Sequence, residues 1–293
     1  MGISFAFSWE VALMVWLQST FGALGNCFGQ FFTLFSEEAV LVILLGFFYW
    51  CLDKEQARRL GVYLLVNILL CPILKNCFPR RRPYMDHGSI QCRKSIDASA
   101  DINDPAAQGF SFPSMHTSNS TALYTSLGLY TKRKWLRVIL FALPFCVALA
   151  RVLLGVHYPT DVLAGLVIGY CVLALMTWIQ TKIKRDWVLY LAILLCALPA
   201  VFFCRSNDFF SAYGLTIGIF GGFLFEKRFV KFTNTRSVWK MILRTVGGLL
   251  FFVMINALCK LVMPSSVLYL RILRYALGSF CIVGVYPLLF SKN

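Results

Sequence analysis

The sequence predicts an all-α integral membrane protein, built as a polytopic bundle of about nine transmembrane helices. Hydrophobic residues make up 59% of the 293-residue chain and charged residues only 14%. With a mean hydropathy of +0.71, the chain carries more apolar surface than one soluble core could bury. No internal repeat or shift in composition marks a soluble domain, so residues 1–293 are interpreted as one membrane domain.

The N-terminal segment, residues 9–35, is apolar but is interrupted by polar residues such as Gln18 and Gln30. We expect interfacial helices within residues 1–35, and an additional membrane span is the alternative. Nine apolar runs follow, near residues 40–51, 60–74, 117–130, 138–154, 162–179, 188–203, 209–225, 241–262 and 268–290. Several runs are shorter than the ~20 residues that cross a bilayer, so we expect the helices to extend into flanking residues.

The distribution of basic residues predicts how these helices are oriented. Residues 1–53 contain no Lys or Arg, whereas a basic cluster at residues 54–59 follows the first span. The loops near residues 132–137, 182–185 and 227–244 are also basic, and alternation of the spans puts them on the same side. The positive-inside rule assigns that side to the cytoplasm. We therefore expect a protein of a bacterial plasma membrane with its N-terminus outside and its C-terminus in the cytoplasm.

The loop at residues 76–112 lies on the predicted outer side, yet it is basic. Its positive residues are Arg80, Arg81, Arg82, Arg93 and Lys94. Because this composition runs against the orientation rule, we interpret the cluster as a site for an anion; a solvated basic loop is the alternative. The net charge of +15 could suggest nucleic acid. The basic residues form no basic domain, however, so we expect no nucleic-acid partner.

Two features of this loop could suggest a metal or a disulfide. Asp97, Asp101 and Asp104 are close in sequence, but their spacing matches no calcium loop, so we expect a polar loop and no metal. Most of the 11 cysteines lie in apolar runs, where a free thiol behaves as a small hydrophobic residue. A bridge between Cys77 and Cys92 is an open alternative, since both would face an oxidising compartment.

Three short clusters within residues 75–161 contain the residues that point to chemistry. They are Lys75 with Arg82-Pro83, then Pro113-Ser114-Met115-His116, then Arg151 with His157 and Asp161. The predicted topology puts all three on the outer side. Cations able to bind phosphate, a histidine able to donate a proton and a histidine beside a carboxylate together predict phosphoryl transfer.

His157 and Asp161 are four residues apart where Pro159 begins a predicted helix, so they share one face. Asp161 can accept a proton from one ring nitrogen and leave the other free to attack phosphorus. A helix-capping Asp beside an interfacial His is the alternative. Arg151, near the end of a span, is expected to have an anionic partner because a bare cation is costly there.

Ser114 begins the next predicted helix, where unpaired backbone N–H groups and the serine hydroxyl could bind an anion. His116 could then protonate the leaving oxygen, and a plain capping segment is the alternative. Lys75 and Arg82 flank the outer end of the second span, where Arg82 can contact two phosphate oxygens while Lys75 acts as a point charge. The clusters are weak evidence singly and strong evidence in combination.

The order and spacing of these residues resemble the type 2 phosphatidic acid phosphatase superfamily, whose signature is Lys-x6-Arg-Pro, Pro-Ser-Gly-His and Ser-Arg-x5-His-x3-Asp. The matching residues are Lys75, Arg82 and Pro83, then Pro113, Ser114 and His116, then Arg151, His157 and Asp161. The resemblance covers about residues 40–203. It implies a six-helix phosphatase core over residues 36–204, with additional transmembrane helices over residues 205–293.

The resemblance implies a phosphohistidine at His157, oriented by Asp161, with His116 as general acid toward the leaving alcohol. The residues that would bind the phosphate oxygens are Lys75, Arg82, Ser114 and Arg151. No metal or other cofactor would be required.

Two positions depart from the signature. Met115 replaces a glycine, which puts the choice of substrate in doubt, and Ala150 replaces the serine before the motif arginine. We expect the missing hydroxyl at Ala150 to weaken phosphate binding by ~1 kcal/mol. The resemblance says nothing about the last three spans, in which Arg271 and Arg274 either extend to the membrane surface or line a cleft for an acidic headgroup.

We therefore expect a metal-independent phosphatase that acts on a lipid phosphate or diphosphate at the outer face, such as a polyprenyl diphosphate, phosphatidic acid or phosphatidylglycerophosphate. A phosphotransferase that uses the same phosphohistidine, and a non-catalytic transporter or binder of lipid phosphates, are the alternatives. The expected partners are the phosphorylated lipid and the surrounding membrane lipids. Which lipid is used, and whether the chain forms a homodimer, stay open.

Overall fold

A computed structural model describes residues 2–94, 101–263 and 267–291 of the chain. The regular elements within these ranges are helices, and Ile3 and Arg80 form an isolated parallel bridge. The chain divides into two compact units, the first formed by Met1–Leu41 and Leu70–Leu175 and the second by Val42–Leu69 and Met176–Asn293. The predicted catalytic and phosphate-binding residues all belong to the first unit.

The helices of the first unit contain or border the three motif clusters. They are α1 (Ser8–Leu34), the start of α2 (Glu38–Phe47), the end of α3 (Lys54–Cys77), α4 (Pro83–Asp86), α5 (Pro105–Gln108), α6 (Met115–Tyr130), α7 (Lys134–Leu153) and most of α8 (Pro159–Lys182).

The second unit contains most of α3, the end of α8 and the C-terminal elements. These are α9 (Asp186–Ala197), α10 (Ala200–Phe203), α11 (Asn207–Phe225), α12 (Val238–Val262), α13 (Leu268–Phe280), the π-helical turns Phe48–Leu52, Glu226–Val230 and Cys281–Val285, and the 3-10 helix Tyr286–Phe290. Helix α11 packs along α13. On α13, Arg274 is buried and Arg271 Nη1 lies 3.4 Å from Ser211 Oγ, so Arg274 does not extend to the protein surface.

Eight helices in the described ranges are long and apolar enough to cross a membrane, judged by length and composition. They are Ser8–Leu34, Lys54–Cys77, Lys134–Leu153, Pro159–Lys182, Asp186–Phe203, Asn207–Val230, Val238–Leu261 and Leu268–Phe290. The first and third predicted spans do not reach this length, because they correspond to the short apolar helix Glu38–Leu52 and to α6, which has 16 residues. The all-α membrane bundle is confirmed, whereas the number of nine spans is not.

The N-terminal segment forms a single 27-residue element, α1, whose helical geometry is interrupted at Gly22 (φ 42°, ψ −120°). Helix α1 packs against α7. The buried Gln18 side chain fixes it there, since Nε2 donates to the carbonyls of Gln91 and Leu153 at 2.9 and 3.1 Å while Oε1 accepts from the Gln91 amide at 3.0 Å. The length of α1 suits a span, which is the alternative to interfacial helices that the sequence leaves open.

Helix α6 is too polar to resemble a lipid-facing helix, because its hydroxyl-bearing residues are buried inside the first unit. Their hydroxyls donate to carbonyls of the preceding turn, as Thr121 Oγ1 does to Thr117 at 2.7 Å. Gly165 and Gly169 of α8 let α6 approach closely: a Cβ at Gly165 would lie 2.7 Å from the Ser114 carbonyl oxygen. This close packing brings the first turns of α6 and α8 together.

Candidate active site

The turn between α7 and α8 contains the third motif. Arg151 lies in the last turn of α7, His157 in the connecting turn and Asp161 in the first turn of α8. Gly155 has a positive φ of 75°, which suits the residue that follows a helix C-cap. Pro159 is the first residue of α8, as the sequence predicts.

The second motif caps α6. Ser114 is the N-cap residue, and its hydroxyl accepts a hydrogen bond from the Thr117 amide at 3.4 Å. The Ser114 amide donates to the Asp161 carbonyl at 3.0 Å, which joins the start of α6 to the start of α8. His116 occupies the first turn of α6, so the second and third motifs meet at these helix ends.

Arg151 is a fully buried cation that has no hydrogen bond to a carboxylate of the described residues. Its side chain is 0% exposed, and Nη1 lies 3.4 Å from Thr33 Oγ1. Its Nε and Nη2 atoms have no hydrogen-bond partner among the residues that the structure describes. A buried guanidinium with free donors is costly unless it meets an anion, so this group is suited to bind phosphate oxygens.

His157 is buried beside Asp161, but the two side chains are not hydrogen-bonded. Nδ1 of His157 lies 3.7 Å from Asp161 Oδ2, longer than a hydrogen bond. The carboxylate instead accepts from Arg80 Nη1, Ser111 Oγ and the Tyr158 amide at 2.7, 2.7 and 2.8 Å. Asp161 is thus near enough to orient the imidazole after a small shift.

The electrostatic surroundings favour the neutral form of His157. Burial lowers the pKa of His157 well below its usual value, and the cations Arg82, Arg151 and Lys75 lower it further. These cations come from the first and third motifs, so both motifs act on the His157 ring. A neutral imidazole keeps the lone pair that nucleophilic attack requires.

His116 lies next to an acid that the sequence interpretation did not include. Its Nε2 is 3.8 Å from Glu37 Oε1. Burial lowers the pKa of His116, Arg151 and Lys75 act in the same direction, and Glu37 opposes them. The interaction with His116 lowers the pKa of Glu37. Glu37 is therefore an anionic neighbour of the predicted general acid.

Lys75 and Arg82 are both buried, the first in the last turn of α3 and the second at the N-cap of α4. Arg82 binds backbone carbonyls: Nε donates to Gly109 at 3.0 Å and Nη2 to Gln108 at 2.6 Å, while Nη1 lies 3.3 Å from the Val156 oxygen. Arg82 therefore joins the loop segments around the site through hydrogen bonds. Its contact with phosphate stays a prediction.

Other arginines of the basic loop also have partners within the protein. Arg81 Nε lies 3.3 Å from Asp86, and Arg93 donates to the carbonyls of Gly22 and Gln18 at 2.9 and 3.1 Å. The unusual positive charge of this loop is thus partly structural, because its arginines bind α1 and neighbouring backbone.

The sequence did not predict that Arg80, which was assigned to the basic loop, pairs with Asp161 and with Glu10. Arg80 contacts both Asp161 and Glu10, each at 2.7 Å, and Glu10 is fully buried. One signal was present in the sequence, since Glu10 is the only acidic residue in the first 35 residues. A lone carboxylate in an apolar segment indicates a buried partner.

The predictions about metals and disulfides involve the loop that follows α4. Within residues 2–94, 101–263 and 267–291, no group of three His, Cys, Asp or Glu side chains is arranged to hold a metal ion. Asp97 lies outside the described residues, and Asp101 Oδ1 accepts from the Asn103 amide at 2.9 Å. Cys77 and Cys92 are free thiols.

Comparison with protein families gives two consecutive matches. Residues 56–185 match the model of the PAP2 superfamily, and residues 210–293 match the model described as PAP2 superfamily phosphatase, transmembrane extension. The second match covers the C-terminal helices, about which the sequence motifs give no information.

The curated proteins that are similar in sequence include two bacterial phosphatases. Lipid A 4'-phosphatase of Bacteroides thetaiotaomicron is 29% identical over 132 residues, which are 45% of this chain and 56% of that protein. Decaprenylphosphoryl-5-phosphoribose phosphatase of Mycobacterium tuberculosis is 30% identical over 174 residues, which are 57% of this chain and 88% of that protein.

One solved structure is similar in fold. The crystal structure of Aquifex aeolicus LpxE superimposes with a TM-score of 0.50 and 23% sequence identity. The match covers 60% of this chain and 99% of that chain. This likeness shows that the chain contains the fold of that protein together with additional helices.

Proposed function

Because this chain belongs to the PAP2 superfamily, we propose that it is an integral membrane phosphatase that hydrolyses a lipid phosphate or diphosphate through a phosphohistidine. The observation that carries the proposal is the buried guanidinium of Arg151, whose Nε and Nη2 atoms lack partners in the described chain. It lies at the end of the helix that leads into His157. A cation so placed suits the developing charge of a phosphoryl group under attack.

In the first step, a ring nitrogen of neutral His157 attacks phosphorus and the bond from phosphorus to the lipid oxygen breaks. The phosphoryl oxygens bind Arg151 and Lys75, together with the Ser114 hydroxyl and Arg82. The modified imidazole is cationic, and its Nδ1–H is 3.7 Å from Asp161 in the free protein, close enough to form a hydrogen bond after a small shift. Such a bond favours the charged ring.

His116 is the general acid in this scheme. The cations around the site lower the pKa of His116 in the free protein, and a bound phosphate dianion opposes them and raises it again. Protonated His116 then donates its proton to the departing lipid oxygen. In the second step the same ring accepts a proton from water, which attacks phosphorus, releases inorganic phosphate and restores neutral His157.

A lipid is the favoured substrate class. The names of the two relatives described above refer to phosphorylated lipids, lipid A and a decaprenylphosphoryl sugar. The spans of the first unit also put His157 among membrane helices, where a headgroup can enter while its tail stays in the bilayer. We assign the reaction to the outer face on the positive-inside orientation.

Purified protein in detergent, tested with a panel of phosphorylated lipids, checks the activity. We expect phosphate release from at least one lipid, complete loss in H157A and strong loss in H116A. His87 is the remaining histidine of the chain, and H87A is the matched control that should keep activity. No release from any lipid, or full activity in H157A, would refute the proposal.

Hydrolysis in ¹⁸O-labelled water separates a phosphatase from a phosphotransferase. Attack by water puts one solvent oxygen into the released phosphate, whereas transfer to another alcohol releases no labelled phosphate. Rapid quenching with ³²P-labelled substrate should also trap acid-labile, base-stable label on the protein, and this label should be absent in H157A.

The side of the membrane can be tested with a native thiol. Cys77 is exposed at the end of α3, two residues beyond Lys75. A membrane-impermeant maleimide added to intact cells should label this cysteine, and C77S should remove that label. Labelling only after the cells are opened would place the site on the cytoplasmic face.

A further inference from the structure

Arg80, which holds the carboxylate of Asp161, is itself held at each of its nitrogens. Nε donates to the Phe5 carbonyl at 2.7 Å, Nη1 also donates to Thr160 Oγ1 at 2.7 Å, and Nη2 donates to Glu10 Oε2 at 2.7 Å. The guanidinium lies over the Tyr158 ring, 3.9 Å from its centroid. Arg80 therefore supports the site and is not part of the phosphate-binding set.

Glu10 supplies the second anion for Arg80. Its carboxylate is 0% exposed and accepts hydrogen bonds on both oxygens. Oε2 also accepts from the Phe7 amide at 2.9 Å, and Oε1 accepts from the Thr160 amide and hydroxyl at 3.1 and 2.6 Å. A carboxylate that accepts from three other donors and one guanidinium is fixed in place, because no partner can leave without exposing a buried charge.

We propose that Glu10 positions Asp161 through Arg80, so that helix α1 contributes a positioning residue to the catalytic site. This inference rests on the proposed phosphatase activity. When a guanidinium bridges two carboxylates, the orientation of its plane and its distance to each carboxylate are fixed. With Glu10 in place, Arg80 Nη1 binds Oδ1 of Asp161, while Oδ2 accepts from Ser111 Oγ and the Tyr158 amide and faces His157 Nδ1 at 3.7 Å. Without Glu10, Arg80 is free to form a two-point contact with Asp161 that draws the carboxylate away from the imidazole.

The substitution Glu10→Gln tests this directly. Glutamine keeps the shape, but its amide nitrogen cannot accept from Thr160 or Arg80. We expect kcat to fall by about 10–100-fold, as for other residues that orient a reacting group without contacting the substrate. KM should change less than about twofold. Formation of the phosphohistidine in a single turnover should slow by the same factor. R80K should also lower kcat, because one ammonium cannot bridge both carboxylates. E10D keeps the negative charge and should lower kcat less than E10Q does.

Gln18→Ala is the matched control. Gln18 fixes the same helix to the backbone of Gln91 and Leu153 and does not contact Asp161. We expect Q18A to lower thermal stability while folded protein keeps wild-type kcat. Equal losses of kcat in Q18A and E10Q would mean that loosening α1 is sufficient, and this result would overturn the proposal.

The remaining outcomes are also decisive. Wild-type kcat in both E10Q and R80K would overturn the proposal, while the wild-type enzyme and H157A would still report correctly on the phosphatase activity. An inactive wild-type protein would instead refute the proposed function. If E10Q is recovered only unfolded, the double substitution Glu10→Gln/Arg80→Met removes both charges, and normal kcat in the folded double variant would overturn the proposal.

Discussion

Two buried arginines, Arg151 in the first unit and Arg58 in the second, differ in how their charge is compensated. Arg58 donates to Glu55 Oε1 at 2.7 Å and also to Glu226, a fully buried carboxylate that Lys54 Nζ contacts at 2.9 Å. Arg151 contacts a hydroxyl, and two of its nitrogens have no partner in the part of the chain that the structure covers. An arginine whose charge is compensated by carboxylates is expected to be structural. A buried arginine without such hydrogen bonds is expected to bind an anionic ligand.

The cavity next to Arg58 shows why the distinction is useful. This cavity of about 390 Å³ is also lined by Lys184, Lys227 and Asp186. By charge and volume it resembles a ligand site. The Lys227 ammonium, however, pairs with Asp186 at 2.7 Å, and Arg58 is paired as well. Basic residues around a cavity are therefore weaker evidence for an anion site than one buried cation without a carboxylate.

Arg151→Gln is expected to have the largest effect on activity. Loss of one preorganised donor to the reacting phosphoryl group should reduce kcat/KM by about 10³-fold, or about 4 kcal/mol. Thermal stability should stay the same or rise, because the substitution removes a buried cation whose Nε and Nη2 have no hydrogen-bond partner among the described residues. Steady-state kinetics and thermal unfolding in one detergent measure both. A lower melting temperature with normal kinetics would show that Arg151 is structural.

Arg58→Met should lower stability and leave activity unchanged, which is the reverse of the result expected for Arg151→Gln. It leaves Glu226 buried with Lys54 as its remaining cation, and breaking such a pair destabilises a protein by about 3–5 kcal/mol. The folded fraction should keep its kcat and KM. Arg58→Met combined with Glu226→Gln removes both charges and should recover part of the lost stability. A loss of activity in R58M without a change in melting temperature would contradict this assignment.

Lys75→Met tests the electrostatic part of the comparison through pH. The cations around His157 lower its pKa, so the nucleophile stays unprotonated at acidic pH, and the acid limb of kcat/KM lies below the pH at which a free histidine titrates. Removal of one cation raises the pKa of His157, which moves this limb to higher pH. A pH series of kcat/KM for wild type and K75M measures the shift. A limb that stays in place would mean that Lys75 does not act on His157.

Local signals in the sequence predict where the candidate residues lie along the helices. The cap at Ser114 and the helix start at Pro159 depend on neighbouring residues, and both are observed. The polar helix α6 is predicted as a span, but it has 16 residues and its hydroxyl-bearing side chains are buried. Hydropathy alone does not separate a helix inside a bundle from one that faces lipid.

The contacts that support Asp161 could not be predicted in the same way. Arg80 is 70 residues from Glu10 and 81 residues from Asp161 in the sequence. Periodicity specifies which face of a helix is buried but not which distant side chain meets it. The same limit applies to Glu37, whose position beside His116 depends on how the chain returns to the first turn of α6.

Ala150→Ser should have the smallest effect, and it adds to the first unit the one hydroxyl that the family signature contains and this chain lacks. Ala150 is fully buried next to Arg151, and because the family signature has serine at this position, we expect a hydroxyl there to reach the bound phosphate. One additional hydrogen bond to phosphate should be worth about 1 kcal/mol and lower KM up to about fivefold, with kcat nearly unchanged. In the free protein the hydroxyl can donate to the carbonyl of the preceding helical turn, so stability should change little. An unchanged KM would show that Arg151 and its neighbours already saturate the phosphate oxygens.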